Sequence, residues 1–199
     1  MSPLAVLVHG YNAGEGEATV DRLIEPFTKW GILCQQFNYS RMNGAISGLL
    51  GAKFYNERRA ERLNKELSVM GKRIVAVGHS NGCAILYRFM TRYPARISHY
   101  LFINPALDKD VTFPAGNRVT VYHTPGEVPV TMAKWIPFTL WGDMGSVGYQ
   151  GEPNALVENV NTSDTNVHEL HRSIGHSDKF NRYHVNYWGN VFAKRILNS

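Results

Sequence analysis

The chain has 199 residues, of which 44% are hydrophobic and 19% charged, and this composition is typical of a single globular domain spanning residues 1–199. Its formal net charge is +5, but the basic residues are scattered, and in the segment 57–66 arginines share a predicted helix with glutamates. Such a pattern is typical of a solvated, ion-paired helix surface, and the sequence contains no nucleic-acid-binding motif. We therefore expect no nucleic-acid partner.

The sequence also bears on the compartment. No run approaches the roughly 20 apolar residues of a membrane-spanning helix. The first predicted strand begins at Leu4, which leaves no room for a signal peptide. The two cysteines, Cys34 and Cys83, are expected to be buried, reduced thiols. These features predict a cytoplasmic protein without a membrane span.

Short apolar, β-branched runs predict buried strands, and helical spacing of apolar residues predicts helices between them. The strands are expected at residues 4–8, 32–37, 73–77, 99–103 and 118–123, with a weaker sixth strand within 155–168. The helices are expected at residues 17–30, 56–70, 82–93 and 187–197. This alternation predicts an α/β fold with a doubly wound, mainly parallel sheet and helices on both faces. Functional loops are then expected at the carboxyl ends of the strands.

The first strand ends in the sequence His9-Gly10-Tyr11-Asn12-Ala13-Gly14. Because Gly10 has no Cβ, another part of the backbone or a ligand can approach it closely. By itself the His9-Gly10 pair is equally consistent with a simple change of chain direction.

Residues 43–55 form an apolar, glycine-rich segment between the second strand and the next helix. Two interpretations stand side by side. The segment is a mobile lid or flap over an acyl pocket, or it is a core-facing loop or the start of a helix.

The strand at 73–77 leads directly into Gly78-His79-Ser80-Asn81-Gly82, and a helix follows. A serine between two glycines at a strand-to-helix turn is held in a sharp, strained conformation with its hydroxyl pointing outward. The alternative is an ordinary glycine-rich turn with a surface serine. A serine nucleophile also needs two backbone amides directed at the developing oxyanion, and we expect these from Asn81 and from Tyr11.

These two strand ends resemble those of the α/β-hydrolase superfamily, especially its small serine esterases, lipases and thioesterases. The resemblance is carried by the segments 7–11 (Leu-Val-His-Gly-Tyr) and 77–82 (Val-Gly-His-Ser-Asn-Gly). It implies the α/β-hydrolase fold and a serine, an acid and a histidine in that chain order, with Ser80 as the nucleophile. The order of the elements matches over nearly the whole chain, whereas the specific motifs cover short stretches.

The superfamily places its histidine late, shortly before the last helix. His176, in the loop-like segment 175–180, lies about ten residues ahead of the predicted final helix, a spacing judged from the resemblance. His176 is therefore the predicted general base, and His184 is the alternative.

The acid of the triad is expected in the loop after the strand at 118–123, and this makes Glu127 the candidate. The superfamily more often has an aspartate there. Asp143 is an alternative, and Asp108 or Asp110 is a third choice used by some branches. Asp178 is too close to His176 along the chain to orient it comfortably.

Residues 130–151 contain Trp135, Phe138, Trp141 and Tyr149 among glycines and prolines. Exposing so many aromatic side chains would be unfavourable, so this insertion is expected to form a pocket wall or to pack against the sheet.

Taken together, the motifs predict a serine hydrolase that cleaves a carboxylic ester, or a thioester, through an acyl-enzyme intermediate. The substrate would be a small-molecule, lipid or polysaccharide ester, and neither a cofactor nor a metal ion is expected. His168 and His171 are three residues apart, which is not the spacing of a zinc-protease helix. The alternatives are a catalytically silent binding module with the same fold and an acyltransferase. The sequence does not indicate an oligomeric state.

Overall fold

Six parallel strands form one sheet in the computed structural model, which describes residues 2–10, 19–39, 45–68, 73–93, 96–126, 142–154, 156–163 and 175–199. The strands are β1 (Leu4–Val8), β2 (Leu33–Phe37), β3 (Ile74–His79), β4 (His99–Ile103), β5 (Arg118–His123) and β6 (Val157–Asn161). Their order across the sheet is β2-β1-β3-β4-β5-β6, and each neighbouring pair is parallel. The carboxyl ends of all six strands therefore meet at one edge.

Helices cover both faces of the sheet. They are α1 (Ile24–Lys29), α2 (Ala45–Leu67), α3 (Asn81–Arg92), α4 (Met144–Val147) and α5 (Val185–Leu197). A 3₁₀-helix, Val20–Leu23, leads into α1, and a second one, Asp178–Phe180, precedes α5.

Alternate residues of each central strand contribute to two separate cores. Val6 of β1 packs in the core beneath α2 and α3, whereas its neighbour Leu7 packs in the core beneath α1 and α5. All five residues of β1 are buried. A strand covered on both faces needs apolar side chains at every position, which explains the continuous apolar run of Leu4–Val8.

The six predicted strands are confirmed, while the helices differ at their boundaries. The structure starts α2 at Ala45 and not at residue 56, so the backbone of residues 45–55 is helical. Glycines lower the helix propensity of this segment, but extending a helix that already exists is much easier than nucleating one. The predicted helix 17–30 is divided into the 3₁₀-helix and α1, and the last helix begins two residues early, at Val185.

The aromatic insertion is only partly described, because residues 127–141 lie outside the described ranges. Within the described part, Tyr149 packs against Phe113, with ring centroids 5.0 Å apart, next to the core beneath α3. Tyr149 thus supports packing against the sheet, whereas Trp135, Phe138 and Trp141 are not described.

Cys34 and Cys83 are not joined in a disulfide. Cys83 is buried as predicted, but Cys34 is only half-buried because β2 is an edge strand. Partial burial nevertheless raises the pKa of the Cys34 thiol to about 11, which makes it a poor nucleophile near neutral pH. No helix within the described ranges is long and apolar enough to cross a membrane.

Candidate active site

Ser80 occupies the turn between β3 and α3 in a backbone conformation that is rare for a residue other than glycine. Its φ is 52° and its ψ is −122°. Three main-chain hydrogen bonds hold this conformation: the Ser80 amide donates to Ile103 O (3.1 Å), and the Ser80 carbonyl accepts from the amides of Cys83 (3.0 Å) and Ala106 (3.2 Å). Although Ser80 is at the N-cap position of α3, its hydroxyl makes no capping hydrogen bond. The strained turn has the predicted form, and its side chain is not used as a helix cap.

Close approaches by neighbouring atoms account for one glycine in each motif, Gly10 and Gly82. A Cβ at Gly82 would lie 2.6 Å from the His9 carbonyl oxygen and closer still to that of Val8, so α3 begins directly against the end of β1. A Cβ at Gly10 would lie 3.1 Å from the Ser80 Cβ. The two glycine-rich segments, far apart in sequence, therefore meet at one place on the sheet edge.

A buried tyrosine supports the loop that follows β1. The Tyr39 hydroxyl contacts the carbonyl oxygens of both His9 (2.7 Å) and Gly10 (2.9 Å), and its ring stacks on the His9 ring at 4.1 Å. The Arg59 guanidinium lies over the same tyrosine ring, 4.2 Å from its centroid. Burial raises the pKa of Tyr39 to about 12, so the phenol is a neutral donor at physiological pH.

Of the two amides predicted to bind an oxyanion, one lies in the described residues. Asn81 is the first residue of α3, where backbone amides lack intrahelical acceptors. Its side chain is buried and accepts a hydrogen bond from Asn56 at 3.2 Å. Tyr11 lies outside the described residues.

His176 lies in a turn far along the chain and comes close to the turn that carries Ser80. Its ring centroid is 4.6 Å from that of His79, the residue just before Ser80. Its carbonyl oxygen contacts His79 Nε2 at 3.1 Å and accepts a hydrogen bond from Asn104 Nδ2 at 2.8 Å. The structure has no hydrogen bond between the Ser80 hydroxyl and the His176 ring, a pair that in free enzymes often closes only with substrate.

His79 is a neutral histidine with a structural role at this site. Complete burial, together with repulsion from the neighbouring His176, holds the pKa of His79 well below its usual value. Because the partner of Nε2 is a carbonyl oxygen, this nitrogen must carry the proton and donate it.

The alternative histidine, His184, is buried at the N-cap position of α5. Its Nδ1 lies 3.0 Å from the carbonyl oxygen of Asp178, so the ring packs under the turn that carries His176. The carboxylate of Asp178 accepts a hydrogen bond from the Gly175 amide at 2.7 Å and thereby closes this turn.

Of the four candidate acids, three lie in the described residues: Asp108, Asp110 and Asp143. Glu127 lies outside the described residues; it follows Gly126, which has a φ of 77°. Asp143 precedes α4, and its carbonyl accepts hydrogen bonds from the first turn of that helix. Asp108 is exposed and its backbone touches Gly142, and Asp110 is exposed as well. The acid therefore stays a prediction.

A buried polar cluster beside His176 is absent from the sequence-based prediction. It consists of Asn104, Thr124, Thr162 and Lys179. The first three directly follow β4, β5 and β6, and polar residues at successive strand ends are a signal that could have identified them. Lys179 is completely buried, although its neighbours in sequence are typical of an exposed loop.

Among the described residues, no group of three or more His, Cys, Asp or Glu side chains could hold a metal ion. His168 and His171, whose spacing in the sequence differs from that of a zinc-protease helix, lie outside those residues.

No protein-family model matches the sequence. No curated protein sequence matches it either. Solved structures are similar over nearly the whole chain. A monoacylglycerol lipase from Paleococcus ferrophilus matches with a TM-score of 0.62 and 11% identity, covering 99% of this chain and 96% of the lipase. The alpha/beta hydrolase domain-containing protein 10 from mouse also has a TM-score of 0.62 and 11% identity, covering 100% of this chain and 91% of the mouse chain.

A third structure, Est1E from Butyrivibrio proteoclasticus, has a TM-score of 0.58 and 11% identity, covering 100% of this chain and 89% of its own. At these identities the likeness concerns the fold. The strand order, the parallel sheet and these neighbours agree with the resemblance seen in the two glycine-rich motifs. The chain therefore has the α/β-hydrolase fold.

Proposed function

We propose that this protein is a serine hydrolase that cleaves a carboxylic ester through an acyl-enzyme intermediate. The observation that carries the proposal is the conformation of Ser80. Its backbone is strained, its hydroxyl does not cap α3, and it lies beside the turn of His176. Strain of this kind persists where function requires it, because the protein otherwise gains nothing from its cost. Solved structures with this fold include a monoacylglycerol lipase, which agrees with the proposal.

In the proposed reaction, the Ser80 Oγ attacks the acyl carbon while His176 takes the hydroxyl proton. The backbone amides of Asn81 and Tyr11 stabilise the negative oxygen of the tetrahedral intermediate. This intermediate collapses, the bond to the alcohol oxygen breaks, and His176 returns the proton to the departing alcohol. Water then attacks the acyl-enzyme with His176 as base, which releases the carboxylic acid and restores Ser80.

Labelling with a fluorophosphonate probe tests the nucleophile. We expect the wild-type protein to be labelled and to hydrolyse p-nitrophenyl esters, and Ser80→Ala to lose labelling and at least about a thousandfold in kcat. Ser68→Ala is a matched control, because Ser68 is exposed at the end of α2. This variant should keep both the labelling and the kcat of the wild-type protein. An unlabelled, inactive wild-type protein, under conditions where a known esterase reacts, contradicts the proposal.

The same assay assigns the acid. If Glu127 orients His176, then Glu127→Gln should lower kcat by about 10³ or more, while Asp143→Asn and Asp108→Asn stay near the wild-type value. Loss of activity in Asp143→Asn alone would transfer the role to Asp143.

A further inference from the structure

We infer that Asn104, oriented by Lys179, is the residue that positions His176 for its reaction with Ser80; this rests on the proposed function. Among the described residues, Ser80 and Asn104 are the two non-glycine residues with positive φ, at 52° and 44°. Both lie at the carboxyl edge of the sheet, after adjacent strands. Strained residues cluster at functional sites, so the conformation of Asn104 calls for a role.

Lys179 determines which way the Asn104 amide points. The Lys179 ammonium is completely buried and donates to the Asn104 Oδ1 at 3.0 Å and to the Thr124 Oγ1 at 2.7 Å. An ammonium group can only donate, so the amide oxygen must face Lys179. The amide nitrogen therefore faces the carbonyl oxygen of His176, to which it donates at 2.8 Å.

The His176 carbonyl is consequently held by two donors. His79 Nε2 supplies the second at 3.1 Å; His79 is the last residue of β3, and Asn104 directly follows the neighbouring strand β4. Lys179, three residues after His176, ties the same turn to Thr124 at the end of β5. The sheet edge thus sets where the backbone of His176 lies, and with it the distance of the imidazole from Ser80. A misplacement of a catalytic group by about 1 Å can cost about 10² in rate.

Asn104→Asp tests the inference with almost no change in shape. An oxygen stays toward Lys179, but the group facing the His176 carbonyl becomes an acceptor and the hydrogen bond is lost. We expect kcat on the pH-independent plateau to fall by about 30–100-fold, with KM changed by less than about 2-fold. Asn104→Ala removes the donor without adding a charge and should show the same split between kcat and KM.

Asn117→Asp is the matched control. Asn117 is also buried and donates to a backbone carbonyl, that of Pro114 at 3.1 Å, but it precedes β5 and lies at the opposite edge of the sheet. It should lose a similar amount of thermal stability while keeping kcat. If the Asn104 variants retain the wild-type kcat, the inference is wrong and the proposed function is unaffected.

A second measurement does not depend on turnover. The imidazole Cε1–H signal of His176, identified by its loss in His176→Gln, should be single and narrow in the wild-type NMR spectrum. It should broaden or split in Asn104→Ala but not in Asn117→Asp. If the wild-type protein is neither labelled nor active, the proposed function fails, and an unchanged His176 signal in Asn104→Ala then overturns the positioning role as well.

Discussion

Single residues at the sheet edge carry the strain and the buried polar contacts of this molecule. The φ of 52° at Ser80 costs on the order of 1–3 kcal/mol, and the three main-chain hydrogen bonds of the elbow offset it. Tyr39 stabilises the loop next to Ser80, because its single hydroxyl contacts two carbonyl oxygens of that loop. Loss of the contact with the His9 or the Gly10 carbonyl oxygen should loosen this loop under conditions in which the protein stays folded.

Tyr39→Phe keeps the ring that stacks on His9 but removes the hydroxyl donor. We expect the free energy of unfolding to fall by about 1–2 kcal/mol, because buried carbonyl groups lose their partner. We also expect kcat to fall by about 10-fold with little change in KM, because under the proposed function this loop leads into Tyr11, the proposed second oxyanion donor. Urea denaturation and ester kinetics measure the two effects. Tyr87→Phe, which removes a hydroxyl bond to Thr112 O, is the control and should leave kcat unchanged.

At the scale of elements, the contact between the start of α3 and the end of β1 brings the two motif segments together. This contact has no room for a side chain at Gly82, whereas a Cβ added at Gly116, which has a positive φ of 82°, would meet nothing within 4 Å. Alanine substitutions at these two glycines therefore distinguish the effect of crowding from the effect of backbone strain.

Gly82→Ala should destabilise the protein by about 3 kcal/mol or more, because the new methyl group collides with backbone carbonyls that cannot move without shifting β1. Gly116→Ala should cost only about 1 kcal/mol, from strain at positive φ alone. Chemical denaturation of both variants measures the difference. Equal losses would contradict a close α3–β1 contact.

For the whole molecule, burial of the central strands on both faces leaves histidines in the interior in their neutral form. His99 in β4 is completely buried, with Nε2 at 2.9 Å from the Thr120 hydroxyl. Burial, with the nearby Arg118 and Arg195, lowers the pKa of His99 to about 3. The pKa of His79 is lowered in the same direction by burial.

These shifts predict a fold that loses stability in mild acid. Below about pH 6.5 the unfolded chain binds a proton at His99 that the folded chain does not bind until about pH 3. The free energy of unfolding should therefore fall with decreasing pH in this window, by up to about 1.4 kcal/mol per pH unit for His99. Urea denaturation between pH 7.5 and 4.5 measures the slope. In His99→Gln the slope should be smaller by about that amount, and an identical slope would contradict a neutral buried His99.

Local patterns predicted the scaffold well because their causes are local. The β-branched runs have the right length for buried strands, and Gly78 is required by its contacts with Leu86 and Cys83 a few residues further along the chain. Gly82 is different, because its close contact is with the end of β1. The start of α2 was missed, since helix propagation through a glycine-rich segment depends on the helix that follows it. The assignment of His176 rests on chain order, and its catalytic role stays a prediction, as does that of Glu127.

By itself, the sequence determined the strands, the strained serine turn and the α/β-hydrolase fold. Only the tertiary structure decided which polar side chains are buried beside the site. Asn104 meets His176 across 72 residues and Lys179 across 75, because parallel strands deliver their carboxyl ends to one edge. A lysine in a polar loop has no local pattern that predicts burial. Its surroundings come from strands distant in sequence, and the physical cause of its position lies in their packing.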